Sequence, residues 1–453
     1  MTVIVRPVDS ALNLADLHRL NPRRYPHLLK STAQGRYDIL FAFPGESLLL
    51  DADANLRVPQ KVLPCANDFL QTFDGWWRNI RGASITDESL PFSGGWFVYL
   101  GYELVAQIET CLQLPGADKL LPTAFATRFA TAVIVDHETG MARIVGEAGE
   151  DNAVSAIAAD ISSLPVAADQ PEAGLKVASV SEAEPLQYLD AVARIHDYIR
   201  EGDVFQVNLS RQWDIELQHA VDTDTLFERL GEHNPSPFSG LASWEDVAII
   251  SSSPERLVSV RGGLVETRPI AGTRPRSDSH QADAAFSEEL MAHPKERAEH
   301  IMLIDLERND LGRLCVPGSI EVNELMVLES YAHVHHIVSN VRGRLRDDIS
   351  PADVIRAVFP GGTITGCPKV RCMEIIAELE QQVRGAYTGS MGYINRDGSM
   401  DMNILIRSIV SQGKYLHFRA GAGIVADSVA SAELDETRAK AKGLLRAVGL
   451  EDA

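Results

Sequence analysis

A chain of 453 residues, 45% hydrophobic and 23% charged, is long and apolar enough to bury one large core or two smaller ones, which excludes a disordered chain. Its 42 basic against 63 acidic residues give a formal charge of -21, which argues against nucleic acid or an anionic membrane as partner. The five cysteines are scattered without a CxxC pair, no apolar run is long enough to span a bilayer and the start has no signal-peptide pattern, so a disulfide framework, a zinc site and a membrane span are excluded and a cytoplasmic protein is expected.

Residues 1–165 read as a mixed α and β region. Arg36 to Phe41 and Thr131 to Val135 are strand-like, and Phe69 to Ile80 has helical spacing of apolar residues. PFSGGWFVYLGYEL (Pro91 to Leu104) is a glycine-broken aromatic run that suggests tightly packed strands. Residues 166–185, rich in Ala, Pro and acids, read as a linker to a second region, 186–453. There Leu189, Val192, Ile195 and Ile199 lie at helical spacing, with Gly202 where a C-cap glycine belongs. In the strand that follows, Gln206, Asn208 and Ser210 alternate with apolar residues and share one face. Val247 to Ser252 is a buried-type strand ending at Pro254, Glu255 and Arg256, which leaves a carboxylate at a strand end.

TRPIAGTRPR (Thr267 to Arg276) combines two prolines, a glycine and the cations Arg268, Arg274 and Arg276. Alone it reads as a solvated surface loop. Two helical segments repeat a carboxylate spacing: Glu296 and Glu299, then Glu433 and Glu436 with Lys440. Such pairs repel unless a cation relieves them, and Mg²⁺ takes one or two carboxylates together with waters and an anionic substrate. Solvated helix faces explain the same spacing. FPGGTITGCPK (Phe359 to Lys369) lacks the Lys-Ser/Thr of a nucleotide P-loop, and GAGIVA (Gly421 to Ala426) lacks the second βα unit of a dinucleotide fold. Both read instead as loops presenting backbone N–H groups to a small anion. His333, His335 and His336 alternate across a strand without a third ligand for a metal.

Taken together, SPERL, TRPIAGTRPR, PKERAEHIMLIDLERNDLGR, HVHHIVSNV, GGTITGCPKVRCMEII, RGAYTGSMGY, IRS, GAGIVADS and ELDETRAKAK resemble, in order and spacing, the chorismate-utilising enzymes that include anthranilate synthase component I and aminodeoxychorismate synthase component I. The resemblance is strong over about residues 186–445 and weaker before them. It implies an α+β fold of two stacked, mostly antiparallel sheets flanked by helices, with the active site in the cleft between them.

It also implies roles for particular residues. Glu299 and Glu436 match the family's Mg²⁺ ligands, and Glu296 and Glu433 the carboxylates that hold its waters. Arg407, Tyr387, Lys440 and the backbone at Gly421, Ala422 and Gly423 match groups that grip the carboxylates of chorismate. Glu255, His336 and Thr363 match residues around the departing C4 hydroxyl, with Glu255 as the acid. Gln206 stands where water-adding relatives, the isochorismate and salicylate synthases, carry a lysine base, which implies ammonia as nucleophile. Ala271 stands where many aminodeoxychorismate synthases carry a nucleophilic lysine and where anthranilate synthases have alanine.

Against anthranilate synthase stand QVNLS, PFSG, FPGG and RYDIL, and NPSPF followed by Ser239 and Gly240 departs from the motif lining that enzyme's tryptophan site. The resemblance thus implies the aminodeoxychorismate synthases that carry PIAGT, acting through a non-covalent 2-amino-2-deoxyisochorismate. Anthranilate synthase, an isochorismate or salicylate synthase and a catalytically silent binding relative are the alternatives. No cysteine lies in a GxCxGxQ elbow, so a separate glutamine amidotransferase subunit is implied as the ammonia source.

Overall fold

The computed structural model describes residues 3–8, 12–32, 35–60, 62, 65, 67–82, 90–164, 175–277, 279–330 and 334–450. Two long antiparallel strands, Tyr37–Leu50 and Ala124–Asp136, organise it. Their register shifts between Pro44 and Ser47, next to Phe43 in a left-handed conformation, and a bulge of this kind bends a strand pair. Beyond the bend the partners part company: Thr131–Asp136 pairs with Met141–Glu147, whereas Ala124–Phe129 pairs with Gly95–Leu100. One strand pair thereby belongs to two sheets.

The first sheet continues from Tyr37–Leu50 through His27–Lys30, Phe238–Trp244, Val247–Ser253, Ser408–Gln412 and Tyr415–Ile424 to Gln206–Leu217 and Val177–Glu182. The second runs from Gly95–Leu100 through Ser390–Asn395, Met400–Asn403, Arg256–Arg261 and Leu264–Thr267 to Val334–Arg344, which also pairs with Ile270–Pro275 and Glu321–Ser330. All these pairings are antiparallel. Phe41, Ile249 and Val410 of the first sheet meet Phe97, Tyr99 and Met391 of the second in one buried cluster, so the sheets are stacked face to face. Helices cover the outer faces. Phe69–Ile80 packs Phe73, Trp76 and Trp77 on the second sheet, with Phe73 and Trp76 edge-on to Trp96; Thr223–His233 and Ala430–Ala447 cover the first. Each large side chain so buried contributes about 2 kcal/mol of transfer free energy.

The helices expected from spacing are present with their own local stops. Asp68 caps Phe69–Ile80 by accepting from the Gln71 N–H, and Gly202, at φ 85°, ends Pro185–Glu201. Gly95 lies so close to the next strand that a Cβ there would sit 2.1 Å from the Ile394 carbonyl oxygen, which accounts for the glycine-broken run. Of the stretch read as a linker, residues 166–174 lie outside the described residues, and Val177–Glu182 is a strand paired with Trp213–Leu217. Sheet hydrogen bonds also cross from the N-terminal to the C-terminal region, at His27–Lys30 with Phe238–Trp244 and at Gly95–Leu100 with Ser390–Asn395. No helix among the described residues is long and apolar enough to cross a membrane.

Candidate active site

Glu255 follows the end of the Val247–Ser253 strand, where Pro254 removes a backbone donor and stops the ladder. Its side chain turns into the protein and is 5% exposed. Thr363 Oγ1 donates to Glu255 Oε1 at 2.8 Å, and the Ile270 N–H donates as well. Burial pushes the carboxyl up to about 7, against the Thr363 and Ile270 hydrogen bonds and the positive charges of Arg407 and Lys440. A carboxyl in that range holds a proton at neutral pH and can release it. Thr363 is placed by the single turn Gly362–Ile364, which rests on the Pro294–Gly312 helix so tightly that a Cβ on Gly362 would lie 2.3 Å from Leu306 Cδ2. His336, on the Val334–Arg344 strand, is 8% exposed and pushed down to about 4 by burial, with its ring N–H on the Gly272 carbonyl. It is neutral at pH 7.

Arg407 supplies the positive side. It has a left-handed φ of 54°, and its guanidinium makes no hydrogen bond or ion pair among the described residues. Burial pulls its pKa down, while Tyr387, Glu436 and Glu255 are close enough to raise it. Lys440 Nζ donates to the Gly421 carbonyl at 2.9 Å and pairs with Glu436 at 2.6 Å. Tyr387 is 8% exposed, its hydroxyl only 2.7 Å from where a Cβ on Gly421 would stand. Arg407 and Lys440 both act on the Glu255 carboxyl, and with the Tyr387 hydroxyl they make cationic, hydrogen-bonding surroundings suited to a carboxylate.

One expectation needs correction here. Gly421, Ala422 and Gly423 are not a loop but the end of the Tyr415–Ile424 strand, paired with Ser210, Leu209 and Asn208. The glycines serve side-chain approach: a Cβ on Gly421 would collide with Asn208 Oδ1 at 2.8 Å, and one on Gly423 with Gln206 Nε2 at 2.3 Å. Gln206 and Asn208 share a face of their strand, as the alternation predicts.

TRPIAGTRPR is likewise no solvated loop. Ile270–Pro275 is a sheet strand, and all three arginines are ion-paired: Arg268 to Glu324 and Glu329, Arg274 to Glu289 and Glu296, Arg276 to Asp283. Ala271, 8% exposed, pairs with Ile337 on the wall next to His336. Glu299 is half-buried on the Pro294–Gly312 helix, and Glu433 stands with Glu436 near the Tyr188 hydroxyl. His333 lies outside the described residues. Among the described residues no three histidines, cysteines or carboxylates gather closely enough to hold a metal by themselves.

Comparison with known sequences follows the same geometry. The model of the family described as chorismate binding enzyme matches residues 25–446. The chain belongs to this family. It is 40% identical to "Aminodeoxychorismate synthase component 1" of Bacillus subtilis over 95% of this chain and 93% of that protein. It is 39% identical to "Anthranilate synthase component 1" of Pseudomonas aeruginosa over 98% of this chain and 93% of that one. The crystal structure of anthranilate synthase component I from Streptococcus pneumoniae superposes with a TM-score of 0.80 at 31% identity, covering 91% of this chain and 92% of that chain.

In this chorismate-binding enzyme the sequence reading missed the groups that hold the site in place. The Glu380 side chain is 2% exposed between Arg384 and Arg419, and it accepts from the Ser210 N–H and Oγ, both at 2.8 Å. Arg384 also donates to the carbonyls of Asn208 at 2.8 Å and Ile364 at 3.3 Å, and its guanidinium stacks over the Tyr387 ring. The only local signal was Glu380 and Arg384 at i, i+4. A separate cavity of about 630 Å³ lies between Tyr37, Phe238, Arg256 and Tyr393, and none of the expected site residues lines it.

Proposed function

We propose that the chain aminates chorismate to 4-amino-4-deoxychorismate, with Mg²⁺ and with ammonia supplied by a separate glutamine amidotransferase subunit. The observation that carries this reading is a buried, protonatable Glu255 within the field of the Arg407 guanidinium, which has no ion-pair partner among the described residues. A dicarboxylate that must lose a hydroxyl needs both, because hydroxide leaves only if protonated and the carboxylates must be neutralised in a dry site. Arg407, Tyr387 and Lys440 would grip the carboxylates, and Glu255, oriented by Thr363, would protonate the C4 oxygen so that it departs as water.

Ammonia adds at C2 as that C4–O bond breaks, giving 2-amino-2-deoxyisochorismate without a bond to the protein, since Ala271 has no amine. A second ammonia then attacks C4 and the C2 amine leaves as ammonia. Gln206 has no basic group to deprotonate water, in keeping with a nitrogen nucleophile. Glu299 and Glu436 would hold Mg²⁺, with Glu296 and Glu433 toward its waters; carboxylate oxygens are the donor type this ion takes, and it needs no denser cluster because substrate and water complete its shell. The ion would neutralise charge on a substrate carboxylate.

A second reading, anthranilate synthase, is favoured by Ala271 and by relatives of that name at comparable identity. Product analysis decides between them. The pure chain is incubated with chorismate, ammonium and Mg²⁺, with and without an aminodeoxychorismate lyase, and the aminobenzoates are separated by chromatography. A para product that requires the lyase, and that disappears when divalent ions are removed, is expected. An ortho product formed without the lyase would reassign the chain to anthranilate synthase.

A further inference from the structure

Glu103 follows the Gly95–Leu100 strand, in the single turn Tyr102–Leu104, and is 8% exposed. A buried carboxylate ordinarily has a cation beside it, yet among the described residues Glu103 forms no ion pair. Its partners are backbone groups of a turn far along the chain. The Arg384 N–H donates to Oε1 at 2.7 Å, and the Gly385 N–H donates to Oε2 at 3.1 Å and to Oε1 at 3.3 Å. With Gly385 at φ 58°, these two successive N–H groups make a concavity that takes an anion. The neighbouring Tyr102 N–H donates to the Gly385 carbonyl at 2.9 Å, and the Tyr102 ring lies against the Arg384 guanidinium. Burial pushes the Glu103 carboxyl up to about 7, against the pull of the Arg384 and Gly385 N–H groups and of its own, and Asp118, which packs on Gly385, adds to the rise. The turn held in this way carries Tyr387. The Tyr387 N–H donates to the Arg384 carbonyl at 3.0 Å, the Arg384 guanidinium stacks over its ring, and its hydroxyl stands at Gly421. No site residue expected from the sequence precedes Gln206, so at Glu103 the N-terminal region reaches the site.

We propose that Glu103 is a positioning residue for chorismate binding: its carboxylate clamps the N–H groups of Arg384 and Gly385 and so sets where the Tyr387 hydroxyl meets a carboxylate of the substrate. The inference rests on the amination reading, which makes chorismate the substrate and Tyr387 one of the groups that grip it, and carries that reading into the N-terminal region. Glu103 acts through Tyr387 and not on the substrate itself. Glutamine at this position keeps the shape, but it offers one acceptor oxygen in place of two and turns an NH₂ group toward a backbone N–H, so the turn is displaced without being emptied. The consequence falls on binding. A carboxylate far from the reacting carbons is gripped equally before and during the reaction, so a weaker grip raises KM and leaves kcat nearly unchanged.

The experiment follows chorismate consumption with ammonium and Mg²⁺, so it does not depend on which aminated product forms. In Glu103→Gln the KM for chorismate is expected to rise about tenfold while kcat stays within about threefold, and Tyr387→Phe, which removes only the hydroxyl, is expected to do the same. The double variant separates positioning from independent support. Acting through one hydroxyl, the two changes do not add, and the chorismate KM of the double variant is expected to lie within about twofold of that of Tyr387→Phe alone. Thermal melting shows whether each variant is folded, and if Glu103→Gln is not, Glu103→Asp, which keeps the charge but draws it back by a methylene, carries the same comparison. A folded Glu103 variant with an unchanged chorismate KM, or KM increases that multiply in the double variant, overturn the assignment. If instead the unmodified chain consumes no chorismate with ammonium, it is the amination reading that fails.

Discussion

Glu255 shows how the surroundings of one side chain set its protonation. Burial alone drives the carboxyl toward neutrality, and the Thr363 hydroxyl and two cations draw it back, so it settles at about 7. The sign of the pH dependence follows. The proton needed by the leaving hydroxyl is present below about 7 and is lost above it, so kcat at constant free ammonia should fall about tenfold per pH unit on the alkaline side. Holding free ammonia constant matters, because ammonium otherwise supplies more nucleophile as pH rises and hides the limb. Thr363→Val removes a hydrogen bond that favours the ionised carboxylate, so it should shift the limb upward. A kcat flat to pH 9 in the unmodified chain would remove Glu255 from the acid role, and Glu255→Gln should lower kcat by roughly 10²–10⁴-fold without altering the melt.

At the scale of elements, the site is held by a buried ion network that ties the Gln206–Leu217 strand, the turn carrying Thr363 and Tyr387 into one unit through Arg384. Removing one partner of such a network leaves an uncompensated buried charge. Arg384→Met should therefore cost about 3–5 kcal/mol in urea unfolding, with Arg384→Lys recovering part of it; a change under 1 kcal/mol would mean that Arg419 alone satisfies Glu380. Beyond the i, i+4 spacing of Glu380 and Arg384, none of this network was legible in the chain. Ser210 and Glu380 are 170 residues apart, as remote as most partners in the site. What the sequence does display is whatever is settled locally: the Phe69–Ile80 and Pro185–Glu201 helices have their stops in Asp68 and Gly202, a few atoms from the ends they fix. The end of the Tyr415–Ile424 strand escapes because glycine carries no alternation signal and its pairing, Gly421 with Ser210, is imposed by a strand far earlier in the chain. TRPIAGTRPR misleads for a related reason: its charges are conspicuous, but the acids that neutralise them lie on the Glu321–Ser330 strand and on two helices. The candidate site residues rest on ordered motif resemblance, since Glu255 and Thr363 are 108 residues apart.

For the whole molecule the decisive matter is where ammonia originates. Releasing it from glutamine takes a thiolate nucleophile, which needs a lowered thiol pKa and a base beside it. Cys315, Cys367 and Cys372 are all pushed the other way by burial. Cys65 and Cys111 complete the five, and no cysteine is hydrogen-bonded to a histidine among the described residues. Among the described residues no such thiolate centre is formed, so the proposed reaction has to draw its nitrogen from solution or from a second protein. The expectation is sharp for the isolated chain. With chorismate, Mg²⁺ and glutamine it should form no aminated product, and with ammonium salts at a fixed pH of about 8 it should form product that rises with the concentration of free ammonia. Adding a class I glutamine amidotransferase subunit that binds the chain should restore glutamine-dependent turnover at neutral pH. Product from glutamine with the pure chain alone, traced by transfer of ¹⁵N from the glutamine amide, would show a hydrolytic site within these 453 residues and refute the two-component reading.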